Sequence, residues 1–128
     1  MATIKKTVVG GSARVVDSAR VVDSARVVDS AQVGGSARVG GSANICQDMV
    51  VMRHLSATRS DGYTFTIAPS AGASRSGYWV TAGCRVFETL TAAREHWRSA
   101  RGGTRLGDET LAILDYLERV YAIWEGGR

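Results

Sequence analysis

The first third of the chain repeats large apolar, small and polar residues with a fixed period of six. From Val9 to Ile45 an aliphatic residue stands at every sixth position, and an alanine follows it four residues later in each repeat. The third position of each repeat is Asp or Gly, and the fourth is Ser. Because a period of six fits neither an α-helix nor a coiled coil, this pattern predicts short strands separated by regularly spaced turns.

These residues resemble the hexapeptide repeats of left-handed parallel β-helix proteins, and the match covers residues 9–45. The resemblance implies three repeats per coil, so that residues 18 positions apart stack. Six repeats give about two coils, which expose strand edges at both ends, and we expect the rest of the chain to cover one end. The predicted stacks include Val15 with Val33, Val21 with Val39, Arg20 with Arg38, and Val9 with Val27 and Ile45.

The remaining residues first alternate as strands do and then follow a helical period. The predicted fold class is therefore α+β: a short left-handed parallel β-helix of about two coils (residues 1–48), followed by a three-stranded β-meander with two helices (residues 49–128). The predicted strands are Met49–Leu55, Tyr63–Ala68 and Tyr78–Ala82. The first helix is predicted from Thr89 or Thr91 to Ala100, and the second is predicted to begin at the capping residue Asp108. The predicted buried stripe of the second helix consists of Leu111, Leu114, Leu117, Val120, Tyr121 and Trp124.

Composition and charge limit the classes of function. The 128 residues carry a net charge of +4, which attracts anions weakly and disfavours nucleic acid as the main ligand. The chain contains no apolar run long enough for a transmembrane helix or a signal peptide, and its two cysteines match a reducing compartment. We therefore expect no membrane partner and a cytoplasmic location.

Three valines directly follow core aliphatic positions where other repeats have glycine. Val16, Val22 and Val28 are expected to face outward, one on each side of the coil. Exposed apolar side chains in this arrangement predict self-association as a homodimer or homotrimer. The alternative is that these valines only favour the strand conformation.

Candidate catalytic residues are few, so we predict a protein that is not an enzyme and that has no cofactor or metal. Most characterised hexapeptide-repeat proteins are acyltransferases with a histidine on the coil, but residues 9–45 contain none. Cys84 and His96 lie near one strand–helix junction, where they either form a thiolate–imidazole pair or are simply buried. Cys46 and His54 do not add the paired spacing of a zinc site.

Arginines and aromatic residues together form the strongest candidate binding surface. Guanidinium groups next to aromatic rings can bind a phosphate and stack a planar group. The predicted ligand or partner residues are Arg53, Arg75, Tyr78, Trp79, Arg85, Arg94, Arg98 and Arg101.

The segments SDGYTFTI (60–67), AGCRVF (82–87), REHW (94–97) and GDETLAILDYLER (107–119) resemble phage and prophage proteins that carry hexapeptide repeats and a small C-terminal cap. The resemblance implies a phage-encoded protein in the cytoplasm of a bacterial host cell. The repeat without a catalytic base, the outward valines and the arginine–aromatic surface predict a non-enzymatic, self-associating binding protein. It would inhibit a bacterial defence protein, as anti-CRISPR proteins do, or sequester an anionic signalling ligand. The alternatives are a hexapeptide-repeat acyltransferase and a purely structural assembly module.

Overall fold

The computed structural model describes residues 3–4, 8–22, 25–83, 85–101 and 103–126, with side chains over 9–22, 25–83, 85–100 and 103–125. We call residues 3–51 the repeat region and residues 55–126 the C-terminal unit. The repeat region contains the two-residue strands β1 (Thr3–Ile4), β2 (Val8–Val9), β3 (Arg14–Val15), β4 (Arg20–Val21), β5 (Arg26–Val27), β6 (Gln32–Val33), β7 (Arg38–Val39), β8 (Asn44–Ile45) and β9 (Val50–Val51). The C-terminal unit contains β10 (Leu55–Thr58), β11 (Thr64–Pro69), β12 (Tyr78–Ala82), β13 (Arg85–Phe87), α1 (Leu90–Arg101) and α2 (Arg105–Gly126).

Every third strand of the repeat region pairs in parallel, which gives three sheets in the orders β1-β4-β7, β2-β5-β8 and β3-β6-β9. The predicted 18-residue spacing is confirmed for all the stacks named above. Val15 pairs with Val33, and both Arg20–Arg38 and Val21–Val39 are in register. Val27 pairs with Val9 on one side and with Ile45 on the other.

The predicted fold class is nevertheless wrong. The described residues form a mixed α+β fold with short strands in small parallel and antiparallel sheets and two helices, and no left-handed β-helix solenoid is evident among them. The antiparallel sheet also has four strands, in the order β10-β11-β12-β13, rather than the predicted three. The fourth strand is Arg85–Phe87, which pairs with the edge of β12. Within the predicted strand Met49–Leu55, Val50–Val51 pairs with β6 instead, and β10 begins only at Leu55.

The alternation of Asp and Gly at the third repeat position follows from the backbone of the turns. Asp17 and Asp29 both have a φ of 59°, and Gly35 has a φ of 57°. This left-handed conformation is open to glycine and is tolerated by aspartate, whose short polar side chain can bond locally. The Asp17 carboxylate accepts a hydrogen bond from the Gly35 amide at 3.2 Å, which links this turn to the turn stacked on it 18 residues later.

The antiparallel sheet lies between the repeat region and the two helices. Ala68 and Trp79 pack against the valine–alanine core of the repeat region. On the other face, Phe65, Ile67 and Val80 pack in a second core with the helices. Because successive residues of a strand point to opposite faces, this sheet separates the two cores.

The helix boundaries differ slightly from the predicted ones. The Thr89 hydroxyl accepts a hydrogen bond from the Ala92 amide at 3.0 Å, so Thr89 caps α1 as expected. Helix α2 begins at Arg105, before the predicted cap Asp108, because the Thr104 hydroxyl accepts the Gly107 amide at 3.1 Å.

Gly83 provides a test of the contact between the sheet and Tyr63. Its φ is +59°, and an added Cβ would lie 2.5 Å from the Tyr63 ring, whose hydroxyl donates to the Ala82 carbonyl. We expect Gly83→Ala to lower the free energy of unfolding by about 2 kcal/mol or more, because it adds overpacking to backbone strain. Urea unfolding measures the change.

Gly62→Ala is the matched control. Gly62 also has a positive φ, +90°, but open space surrounds the position of its Cβ. Only the backbone cost of about 1 kcal/mol should remain. An equal loss in both variants would contradict the proposed clash with Tyr63.

Candidate ligand-binding site

A surface pocket of about 190 Å³ opens where the repeat region meets the end of α2. We call it the Arg53–Trp124 pocket. Strand β9, the bend that follows it, β11 and the last turns of α2 all contribute to its walls. The lining residues are Val50, Met52, Arg53, Ile67, Pro69, Tyr121, Trp124 and Glu125.

Arg53 and Trp124 define the polar side of this pocket. The Arg53 guanidinium carbon lies 4.3 Å from the centre of the Trp124 ring, in cation–π geometry. The stack orients the guanidinium plane, while Arg53 itself remains exposed. An arginine held in this way can present its N–H edge to a carboxylate or phosphate oxygen.

The apolar side of the pocket comes from residues that the sequence analysis placed in the core. Tyr121 and Trp124 were predicted as part of the buried stripe of α2, but both are only half-buried. The Tyr121 ring lies 5.6 Å from the Tyr78 ring, which fixes that wall. Met52 is 49% exposed at the rim. The pocket therefore combines one arginine, one glutamate and a mostly apolar lining.

The other predicted aromatic residues point away from one another. Trp79 faces the repeat region, where its indole N–H donates to Asp48 at 2.6 Å. Tyr78 faces the helices, and its hydroxyl accepts the Leu90 amide at 2.9 Å. Since neighbouring residues of β12 lie on opposite faces, the predicted pair cannot form one stacking platform.

The predicted arginines also separate. Arg75, Arg85 and Arg98 are exposed, on the loop before β12, on β13 and on α1 respectively. Arg94 instead joins the helices through Asp115 at 2.9 Å and Glu118 at 2.6 Å. Arg101 ends α1, and its side chain lies outside the described residues. Of the predicted arginines, Arg53 is the one that lines the pocket.

A second arginine–aromatic cluster, which the sequence analysis missed, is closed to solvent. The Arg59 side chain is 3% exposed and forms two hydrogen bonds with Asp61, at 2.9 and 2.8 Å. It also donates to Thr110 at 3.0 Å and lies 4.8 Å from the Tyr63 ring centre. Hydrogen bonding to Arg59 lowers the pKa of Asp61 to about 2. Arg59 therefore joins the β10–β11 turn to α2 rather than binding a ligand.

The three valines predicted to form an oligomer interface follow strands of three different sheets. Val16 is 37% exposed, while Val22 and Val28 are half-buried. They follow β3, β4 and β5, so one flat surface cannot contain all three. An interface through these residues stays a prediction.

The candidate nucleophiles provide no assembled catalytic pair among the described residues. Burial, with a smaller contribution from Asp29, raises the pKa of the Cys46 thiol to about 11, which disfavours the reactive thiolate. Cys84 lies outside the described residues. His96 packs edge-on against Trp97, with ring centres 4.9 Å apart.

His54 joins the repeat region to the C-terminal unit. Its Nδ1–H donates to the Arg38 carbonyl at 2.9 Å, which leaves Nε2 to accept from the Thr66 hydroxyl at 3.3 Å. Burial lowers the pKa of His54 below its usual value of 6.5.

The pKa shift of His54 makes stability depend on pH. Below about pH 6.5 this histidine is protonated more readily in the unfolded chain than in the folded protein. The free energy of unfolding therefore falls as pH decreases. We expect His54→Gln to flatten this part of the profile, measured by urea unfolding between about pH 8 and about pH 5.

The control for this profile is His96→Gln, which removes the other histidine of the chain. It should leave the acid slope unchanged. A slope that survives in His54→Gln and disappears in His96→Gln would contradict the assignment.

Comparisons with known proteins add no relatives: no family model, no curated protein and no solved structure matches this chain. Within the described ranges, neither helix is long and apolar enough to cross a membrane. The same residues contain no group of three His, Cys, Asp or Glu side chains placed to hold a metal ion.

Proposed function

We propose that this protein is a non-enzymatic binding protein that takes up a small planar anion in the Arg53–Trp124 pocket. The single observation that carries the proposal is the stacking of the Arg53 guanidinium on Trp124 at the rim of an open pocket. The arrangement supplies a charged hydrogen-bond donor beside an aromatic and apolar wall.

The size of the pocket supports a ligand with one ring in contact. An apolar cavity of about 150 Å³ is sufficient to bind benzene. The pocket, at about 190 Å³, has room for one planar ring and little more. The rest of a larger molecule would lie in solvent, where an anionic group of that molecule could accept hydrogen bonds from the N–H groups of Arg53.

The charges at the rim support a ligand of modest negative charge. Arg53 contributes one positive charge and Glu125 one negative charge to the lining. Glu125 would repel a polyanion, but its carboxylate can accept a hydrogen bond from a ring N–H. A nucleoside monophosphate has these features: a planar base with N–H donors, and one phosphate group.

The resemblance to phage and prophage proteins supports a bacterial signalling nucleotide as the natural ligand. On this proposal the protein acts in the cytoplasm of the host cell by sequestering that nucleotide. Inhibition of a bacterial defence protein is the alternative. In that case the pocket would receive an aromatic side chain of the target, as buried anchors do at protein interfaces.

Titration calorimetry with AMP, GMP, CMP and UMP tests the proposal. We expect saturable binding of at least one of the four. Arg53→Ala should weaken it about tenfold or more, because a charge-assisted hydrogen bond contributes about 1.5–3 kcal/mol. Trp124→Ala should weaken it as well, by removing the ring that orients the guanidinium.

Arg98→Ala is the matched control, because it removes an equally charged, exposed arginine from α1 and should leave the affinity unchanged. Absence of binding by all four nucleotides at about 1 mM would overturn nucleotide sequestration. A native mass spectrum of protein purified gently from bacterial lysate separates the alternatives. A bacterial protein that stays bound to the unaltered chain but not to Arg53→Ala would indicate the alternative, inhibition of a bacterial defence protein.

A further inference from the structure

The core of the repeat region is buried at one end and partly exposed at the other. Val21 is fully buried, but Val9, at the equivalent position of the first repeat, exposes 36% of its surface. Val15 and Ala13 are half-buried, whereas the alanines of the later repeats are buried. We call the end formed by β1, β2 and β3 the open end.

The open end also presents unpaired strand edges. Strands β1, β2 and β3 each pair on one side only within the described residues. The Arg14 amide donates to the Ala31 carbonyl at 3.0 Å. The Val16 amide donates to the Val33 carbonyl at 2.9 Å. Because a strand directs alternate residues to opposite edges, the N–H and C=O groups of Val15 point away from β6, toward the open end.

The opposite end of the repeat region is covered by the rest of the chain. The Arg38 carbonyl of β7 accepts the His54 ring N–H at 2.9 Å. In β8, the Asn44 carbonyl accepts the Thr81 hydroxyl at 2.8 Å, and the Asn44 side chain donates to the Gly83 carbonyl at 3.1 Å. The C-terminal unit, together with His54 just before it, therefore supplies both polar partners and apolar cover at that end.

We propose that the open end binds the open end of a second copy, so that the protein is a dimer with two-fold symmetry. The proposal concerns assembly alone and is independent of the Arg53–Trp124 pocket. It replaces the outward valines with the first strands of the repeat region as the contact surface.

The geometry of the open end favours a second copy over other partners. Three two-residue edges surround one apolar centre. An extended peptide could pair with one such edge but would leave the other two, and the exposed core, uncovered. Another open end presents three matching edges and the same apolar centre. A two-fold axis would pair β3 with its own copy in antiparallel orientation and β1 with β2 of the other copy.

The exposed charge of Arg14 on β3 agrees with this symmetry. With the two-fold axis passing through Val15, Arg14 of one copy lies directly opposite Val16 of the other, and the reverse contact is identical. Both side chains are exposed on the protomer. Like charges directly opposite each other would oppose strand pairing, and this register keeps the two Arg14 side chains apart.

Sedimentation equilibrium of the full chain at about 1 μM and about 100 μM measures the assembly. We expect a dimer for the unaltered protein at the higher concentration. Val9→Lys places a charge in the apolar centre of the open end and should raise the dissociation constant at least tenfold. Val28→Lys is the control, because Val28 lies on an outward face beside β5, which already pairs with β2 and with β8. It should remain dimeric.

Hydrogen exchange on the unaltered protein gives a second measurement that does not depend on the folding of a variant. The Val15 amide, which points to the open edge, should exchange more slowly at the concentration that favours the dimer. A monomer at both concentrations, a trimer, or an unchanged Val15 exchange rate would overturn the proposal. So would dissociation of Val28→Lys to the same extent as Val9→Lys, which would instead support the outward valines.

Discussion

The enclosure of a valine–alanine core by two-residue strands is the constraint on which the rest of the structure depends. Strands this short form few backbone bonds of their own, so their stability comes from stacking and from burial of side chains such as Val21 and Val27. Near-identical repeats also leave the register of stacking weakly specified by side chains alone. Unique contacts are therefore needed at some point in the stack. The C-terminal unit provides them where Asn44, which stands in place of the usual arginine or glutamine, meets Gly83.

The same constraint explains the unusual composition of the antiparallel sheet. An ordinary sheet buries apolar side chains on its covered face, but this sheet also covers the end of another stack, where backbone groups need partners. Thr64, Thr66 and Thr81 are each at most 2% exposed on that face. Their hydroxyl groups bond to Ser42, His54 and Asn44 respectively. Threonine satisfies both demands, since it is β-branched for the strand and carries a hydroxyl for the neighbouring edge.

The sequence predicted local features well where one period determined them. The six-residue repeat, with the three repeats per coil that the resemblance implies, predicted the stacked pairs correctly. The boundary at residues 49–55 could not be predicted, because an apolar run does not reveal which of its residues pair with β6. The pocket was missed for a related reason. The helical period marks Tyr121 and Trp124 as facing the core, but their partial exposure depends on where the chain bends after β9.

Arg59 and Arg53 both lie beside aromatic rings, but the hydrogen-bond partners of the guanidinium give Arg59 a structural role and leave Arg53 able to bind a ligand. The Arg59 guanidinium donates two hydrogen bonds to the carboxylate of Asp61, which lies only two residues away in the same turn. A guanidinium paired so locally has little left to offer a ligand, and its hydrogen bonds to Asp61 and Thr110 offset part of the cost of its burial. Arg53 stands in a bend, and its ring partner Trp124 comes from the distant end of α2. That contact holds the plane of the guanidinium without using its hydrogen-bonding edge, so Arg53 keeps the capacity to bind that Arg59 has lost.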